Sequence, residues 1–280
     1  PEERLMKLWQ GLGYYSRARN LQKAARQIME NWGGVFPNTY EEIRSLAGVG
    51  DYTAGAISSI AFGIPVPAVD GNVLRVTARI CGDEGDITLP ATKKRVTQAL
   101  AQVIPLDAPG DFNQAMMELG ATVCLPNGAP LCEKCPAASF CRAFQEGRTG
   151  ELPVKAAKKA RRVEERIVYL LFHGDQVALR RRPGKGLLAG LWEYPNELAD
   201  GTDWPGQWGL SPQKLERAGT GKHIFTHIEW HMTALAGELD SPDLPEGWVW
   251  AGRRELRDTY ALPNAFQCFA EAVAGRLGQF

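Results

Sequence analysis

The spacing of apolar residues changes once along this chain, and that change limits the possible folds more than any other feature. From Glu2 to Glu146 apolar positions recur at three and four residues, as in Leu5, Leu8, Trp9 and Leu12, or Leu21, Ala24, Ala25 and Ile28. That is the period of amphipathic helix. Breakers punctuate it at Gly33-Gly34 and Pro37, at Gly48 and Gly50, at Pro65 and Pro67, and from Pro105 to Pro109. Beyond residue 164 the runs become short or alternating: 166–172, 176–180, 231–236 and 248–250 read as strands, with His173-Gly174-Asp175 as a hairpin turn. Residues 264–277 return to an amphipathic helical pattern. The expected organisation is an all-α domain over 1–146, a linker over 147–164 and an α+β domain over 165–280. A length of 280 residues suits two domains. The basic run Lys155, Lys158, Lys159, Arg161 and Arg162 in the linker reads as a solvated surface or as phosphate contacts.

Composition narrows the partners. No apolar run approaches the roughly 18–20 residues of a membrane-spanning helix, so a membrane protein is excluded. The formal net charge is +0, so a polyanion would have to be met by local patches and backbone donors rather than by a global field. The opening Pro-Glu-Glu-Arg-Leu-Met-Lys-Leu-Trp lacks the basic start and apolar stretch of a secretory signal, and a cytoplasmic address is expected. Four of the six cysteines, Cys124, Cys132, Cys135 and Cys141, crowd into the interval 124–141, while Cys81 and Cys268 stand apart. In such a chain the cluster reads as metal ligation rather than disulfide bonding, and four thiolates serve either zinc or an iron-sulfur cluster.

Two further segments carry chemistry. In Leu46-Ala-Gly48-Val-Gly50-Asp-Tyr52-Thr-Ala54 two glycines turn the chain into a helix rich in small residues. Glycines there let the backbone approach a ligand, and the free N–H groups of the helix start favour an anion such as a DNA phosphate. Next, Val66-Pro-Ala-Val-Asp70-Gly-Asn72-Val-Leu-Arg-Val76 sets a carboxylate at the end of a proline-stiffened loop, directly before another helix. Taken alone, Asp70 is an N-cap. Hairpin and Val-Asp-Gly-Asn together resemble the helix-hairpin-helix DNA glycosylase superfamily, in which this aspartate is essential for cleaving a base from DNA.

The cysteines resemble the iron-sulfur loop that closes the endonuclease III type of this domain. Two residues separate Cys132 from Cys135 and five separate Cys135 from Cys141, but seven lie between Cys124 and Cys132 where six are usual. The resemblance implies a 4Fe-4S cluster, and the extra residue keeps zinc open. Within the superfamily the chain resembles the adenine DNA glycosylases of the MutY type. Trp9-Gln-Gly-Leu-Gly-Tyr14-Tyr-Ser-Arg17-Ala-Arg19 is similar to their wedge, where the first tyrosine intercalates beside the damaged base; Arg17 and Arg19 would serve phosphates. Tyr52 stands where bifunctional relatives carry a Schiff-base lysine, which implies a monofunctional hydrolase. Asp111-Phe-Asn-Gln-Ala-Met-Met-Glu118 is similar to the segment whose glutamate contacts the flipped adenine.

The second domain resembles the Nudix-like reader of the same enzymes through Leu187-Leu-Ala-Gly-Leu-Trp-Glu-Tyr-Pro195. Residues 196–219 lack the Arg-Glu and Glu-Glu pairs of true Nudix hydrolases, so pyrophosphatase activity is not expected. Phe225-Thr226-His227 is similar to the Phe-Ser-His loop that reads 8-oxoguanine. The expected function is removal of adenine mispaired with 8-oxoguanine, or with guanine, in duplex DNA by a monomeric enzyme of the bacterial nucleoid. Tyr52, Asp70, Asn72 and Glu118 would form the adenine pocket, with Gly48 and Gly50 on the DNA backbone. The general-acid glutamate that the resemblance implies would precede Pro1, so the chain reads as a piece of an enzyme or as an impaired lesion-binding module. An endonuclease III-like pyrimidine glycosylase and lyase is the rival reading.

Overall fold

The computed structural model describes residues 1–157 and 160–277, so Lys158 and Lys159 of the basic run lie outside the described residues. Helices α1 (Glu2–Leu8), α2 (Ser16–Trp32), α3 (Tyr40–Ser45), α4 (Asp51–Phe62), α5 (Gly71–Cys81), α6 (Pro90–Ala101), α7 (Pro109–Thr122) and α8 (Arg142–Gln145) come first. Strands β1 (Arg162–His173), β2 (Gln176–Arg181), β3 (Trp192–Glu193) and β4 (Asn196–Leu198) follow. Then come α9 (Trp204–Gln207), β5 (Glu216–Ile224), β6 (Ile228–Glu238), β7 (Trp248–Ala251), α10 (Arg253–Asp258) and α11 (Ala270–Leu277). The chain forms two compact units that divide within α2: Asn20–Lys158 make one, and Pro1–Arg19 with Lys159–Phe280 make the other. Among the described residues no helix is long and apolar enough to cross a membrane.

In the helical unit, local chemistry sets the ends of the helices. Thr39 caps α3 by accepting from the Glu42 amide, and its hydroxyl donates to the Glu42 carboxylate at 2.8 Å. Gly63 and Gly82 end α4 and α5 in the left-handed conformation, and a proline occupies the first turn of α6 and of α7. The core lies where Val69, Val73, Leu74 and Ala78 meet Ile87, Val96 and Leu100, with Phe112, Met116 and Met117 of α7 packed against it. The expected linker is largely part of this unit. Leu152 is buried, the Ile87 amide donates to Val154 O at 3.1 Å, and the Ala156 amide donates to the Asp86 carboxylate at 3.1 Å. A single anchoring leucine has no period, which is why the pattern of residues does not reveal it.

In the other unit, β1 pairs in parallel with β6 from Arg162↔Ile228 to Phe172↔Glu238, and antiparallel with β2 and β4. The sheet order is β3-β2-β1-β6-β5, with β7 on β2. Side chains of β1 alternate between two apolar layers. Val168, Leu170 and Phe172 join Trp230, Phe266 and Phe269, while Tyr169 and Leu171 join Leu210 and Leu239. Three strands differ from expectation, because β3 and β4 are very short and β5 is the polar sequence Glu-Arg-Ala-Gly-Thr-Gly-Lys-His-Ile. Strand β5 extends through its pairing with β6 rather than through an apolar stripe of its own. The tail also differs: Asn264–Phe269 is a 3₁₀ turn and only Ala270–Leu277 is α-helical. Phe266 and Phe269, three residues apart, are both buried, and three residues per turn brings them to one side.

The first nineteen residues group with this sheet, although the helical period extends them into the domain of residues 1–146. Met6, Tyr15 and Ala18 bury against Leu191 and Ala261, and Lys7 Nζ donates to Leu256 O at 2.8 Å and Tyr260 O at 3.1 Å. Periodicity identifies a helix but does not say what its apolar face will meet.

Candidate functional site

Asp70 is the N-cap of α5. Its Oδ1 accepts from the Val73 amide at 2.8 Å and its Oδ2 from Asn72 Nδ2 at 3.0 Å, so both carboxylate oxygens are oriented. The preceding loop is held by Asn113, which is 2% exposed on α7. Its Oδ1 accepts from the Ala68 amide at 2.9 Å, and its Nδ2 donates to Val66 O at 2.9 Å and Ser59 Oγ at 2.8 Å. One amide thus ties the Asp70 loop to α4 and α7. Two helical glycines allow that approach. A Cβ on Gly55 would lie 2.4 Å from Pro67 O, and one on Gly120 would lie 2.5 Å from Asn72 Cβ. Glycine within a helix costs about 1 kcal/mol relative to alanine, and the close packing offsets that cost.

Tyr52, in the first turn of α4, donates its hydroxyl to Met117 Sδ at 3.3 Å, next to Glu118 on the exposed side of α7. The structure therefore brings α4 and α7 together at these residues, but no hydrogen bond among the described residues links Tyr52 or Glu118 to Asp70. Gly48 takes φ +78° in the turn and Gly50 caps α4, leaving the first-turn N–H groups of that helix at its start. A Cβ on Gly48 would collide with the Asn20 side chain at 2.6 Å, so this turn admits only glycine.

From α5, the helix that Asp70 caps, Arg75 and Arg79 reach the cysteine loop. Arg75 Nε donates to Cys124 O at 2.8 Å and Nη2 to Asn72 Oδ1 at 2.9 Å. One turn on, Arg79 Nη1 donates to Cys124 Sγ at 3.2 Å and to Leu125 O at 3.1 Å, and Nε donates to Leu152 O at 2.8 Å. Cys124, Cys132, Cys135 and Cys141 line one cavity with Arg79, walled by apolar side chains including Val76, Ile80 and Leu119. No disulfide joins any of the four. Burial pushes the Cys132 thiol up, and its three neighbours add to that rise. Among the described residues no three or more His, Cys, Asp or Glu side chains are drawn together closely enough to hold a single ion. The donor set nonetheless suits a thiolate-held group: four sulfurs around one apolar space with a buried cation beside them.

In the other unit, Tyr14, Phe225, Thr226 and His227 line a second cavity of about 620 Å³ together with Leu187 and Asn264. Phe225 stacks edge-on between His223 at 4.6 Å and Trp230 at 4.9 Å, and its amide donates to Ile228 O at 2.8 Å. Burial lowers the His223 pKa, which favours its neutral form. Arg17 lies over the rings of Trp9 and Tyr14 at 5.7 and 5.6 Å. Arg19 is engaged inside the unit by Glu2 at 2.7 Å and by Ala189 O, which occupies donors that the sequence had suggested for phosphates.

Asn113, Gly55, Gly120, Arg75 and Arg79 went unremarked in the sequence.

Residues 1–106 match the pattern described as HhH-GPD superfamily base excision DNA repair protein, and residues 167–272 match the NUDIX domain. The first pattern includes the nineteen residues that the fold groups with the sheet, so sequence kinship and packing divide the chain differently. Over most of its length the chain is similar to proteins named adenine DNA glycosylase. It is 35% identical to that of Homo sapiens (95% of this chain, 59% of the relative) and 37% to that of Mus musculus (98% and 65%). It is 30% identical to that of Schizosaccharomyces pombe (90% and 67%). The chain thus spans about three-fifths to two-thirds of the length of these relatives.

Proposed function

This chain belongs to the adenine DNA glycosylase family, and from that membership and the geometry of its two sites we propose that the protein removes adenine from a duplex 8-oxoguanine:adenine mispair by hydrolysing the N-glycosidic bond. The observation that carries the proposal is the Asp70 carboxylate, whose oxygens are aimed by the Val73 amide and the Asn72 side chain on a loop locked by Asn113. As the base departs, the sugar develops oxocarbenium character, and a pre-oriented carboxylate stabilises that charge without reorganising. Tyr52 offers a phenol where an amine would form a Schiff base, so the strand is left uncut. Tyr52, Asn72 and Glu118 are assigned to the flipped adenine, and the backbone N–H groups after Gly48 and Gly50 to a phosphate.

The cavity bearing Tyr14, Phe225, Thr226 and His227 is assigned to the oxidised guanine. Its volume falls in the range of small-molecule sites. Division of labour has a chemical reason: the adenine to be removed is undamaged, so the lesion must be sensed at the other base. Cys124, Cys132, Cys135 and Cys141 are assigned to a 4Fe-4S cluster, whose bonds to the loop would cross-link residues 124–141. We further assign residues 1–146 and 165–280 to the catalytic and reading domains, and expect a monomer acting on DNA in the bacterial nucleoid.

The test uses the full-length protein with duplexes carrying 8-oxoguanine opposite adenine. Asp70→Asn is expected to lower single-turnover excision by about 10²-fold or more while duplex binding is retained. Borohydride is expected to trap no covalent adduct. Full turnover by Asp70→Asn, or an adduct in high yield, would rule the proposal out.

A further inference from the structure

The loop that carries Tyr14 holds a conformation it would not keep by itself. Gly11 and Gly13 take φ of +93° and +65°, and Tyr14 itself takes +46°. A residue with a side chain stays in the left-handed region only where its surroundings over-determine it. Within the loop, Trp9 Nε1 donates to Gly13 O at 3.1 Å, and the Arg17 amide donates to Tyr14 O at 2.8 Å. From 253 positions away, Asn264 Nδ2 donates to Gly11 O at 3.1 Å.

Asn264 begins the 3₁₀ turn Asn264–Phe269, whose Phe266 and Phe269 are sunk in the core of the sheet. Phe266 lies 6.3 Å from Trp230, and Trp230 lies 4.9 Å from Phe225. One turn therefore meets the two walls of the 620 Å³ cavity: the Tyr14 wall through the Asn264 side-chain amide, and the Phe225 wall through a ladder of rings. Pro263, Asn264 and Ala265 line the cavity themselves.

We infer that Asn264 is a positioning residue: its hydrogen bond to Gly11 O sets Tyr14 at a fixed spacing from the Phe225-Thr226-His227 loop, so that both walls engage the same base. The inference rests on the reading that this cavity takes the oxidised guanine. A wedge free to pivot on Gly11 would still stack into a duplex, but its insertion would no longer be registered against the groups that tell 8-oxoguanine from guanine.

The experiment uses the full chain and duplexes with 8-oxoguanine or guanine opposite 2′-fluoro-deoxyadenosine, which resists hydrolysis, with 2-aminopurine beside the lesion to report intercalation. Asn264→Leu, close in shape and uncharged, is expected to lower the preference for 8-oxoguanine about fivefold, the weight of one hydrogen bond, and to quench the 2-aminopurine response. Affinity for undamaged duplex should hold. Gly11→Ala strains the same turn from the opposite side and is expected to reproduce the loss even if Asn264→Leu folds poorly. In a Tyr14→Ala background, Asn264→Leu should add nothing further. If Asn264→Leu and Gly11→Ala keep both preference and fluorescence while Tyr14→Ala loses them, the inference falls and the cavity reading stands. If Tyr14→Ala itself changes neither, the cavity reading falls with it. An equal loss from Asn264→Leu with and without Tyr14 would mean that Asn264 touches the base directly, which also overturns the positioning role.

Discussion

In the helical unit two arginines, Arg75 and Arg79, are 3% and 6% exposed and pair with no carboxylate among the described residues, whereas in the sheet unit one carboxylate, Glu193, is 1% exposed and meets two arginines. Glu193 accepts from Arg180 Nε at 2.8 Å, from Arg182 Nη1 and from Asn196 Nδ2 at 2.7 Å, and Arg180 also pairs with Glu197 at 2.6 Å. Charge there is cancelled where it is buried. In α5 the guanidinium donors go to main-chain carbonyls, to Asn72 and to the Cys124 thiol, so positive charge remains beside the four cysteines. Burying cations without anions is costly unless something negative completes the site, and thiolates holding a metal centre would do so. The comparison separates a polar core whose charges cancel from one that leaves positive charge beside four cysteines.

The largest expected effect comes from breaking the self-cancelling core. Glu193→Ala takes from Arg182 the carboxylate it meets and from Arg180 one of its two, Glu197 being the other, and is expected to cost about 3–5 kcal/mol in denaturant unfolding. The loss should be confined to the sheet unit, with any iron-sulfur absorbance of the helical unit unchanged; a loss shared equally by both units would dissolve the contrast.

A smaller loss is expected from Arg75→Met, which leaves the main-chain carbonyls of Gly120 and Cys124 and Asn72 Oδ1 without this donor, at about 1–3 kcal/mol. Here the distinguishing measurement is metal content, expected to fall along with stability. Retention of both would mean that the buried cation has no bearing on the cysteine loop.

Smaller again is the effect of Thr226→Ala with His227→Ala. If this loop reads the lesion as proposed, each hydrogen bond lost from it is expected to cost about 1 kcal/mol of discrimination between 8-oxoguanine and guanine, read as a ratio of dissociation constants. Unchanged discrimination would take the sheet unit out of lesion recognition.

The smallest effect concerns His231 on β6, which meets Glu229 at 2.8 Å and Glu165 at 3.0 Å, while Lys222 of β5 pairs with Glu229 at 2.6 Å. The hydrogen bond to Glu229, then that to Glu165, outweighs partial burial and raises the His231 pKa above its ordinary 6.5. A raised folded-state pKa means that the folded state holds the proton more tightly. The resulting stability is present in full below about pH 6.5 and is lost as pH rises through the folded value. Melting of the sheet unit should therefore soften slightly over that window, and His231→Asn should flatten the slope.

Local chemistry made part of this legible. The N-cap aspartate, the glycine turn and the four strands with apolar periods are each visible within a dozen residues, and the crowded cysteines within 18, because capping, φ > 0, strand alternation and ligand spacing depend on near neighbours. Asn113 was not legible, because its partners Ala68 and Val66 lie 45 and 47 positions away. Gly55 and Gly120 read as weak helix residues until Pro67 and Asn72 arrive against them. Strand β5 has no apolar pattern because its extended form is imposed by β6.

By itself, then, the sequence determined two domains of different class and the resemblance of each, since hydrophobic period and motif spacing are carried by adjacent residues. Only the tertiary structure decided that the Tyr14 segment packs with the sheet, that Asn264 holds its turn, and that α5 connects the Asp70 loop to the cysteine cavity. Those choices depend on which apolar faces and hydrogen-bonding groups meet across 45 to 253 positions of chain, and no local pattern encodes the identity of a distant partner.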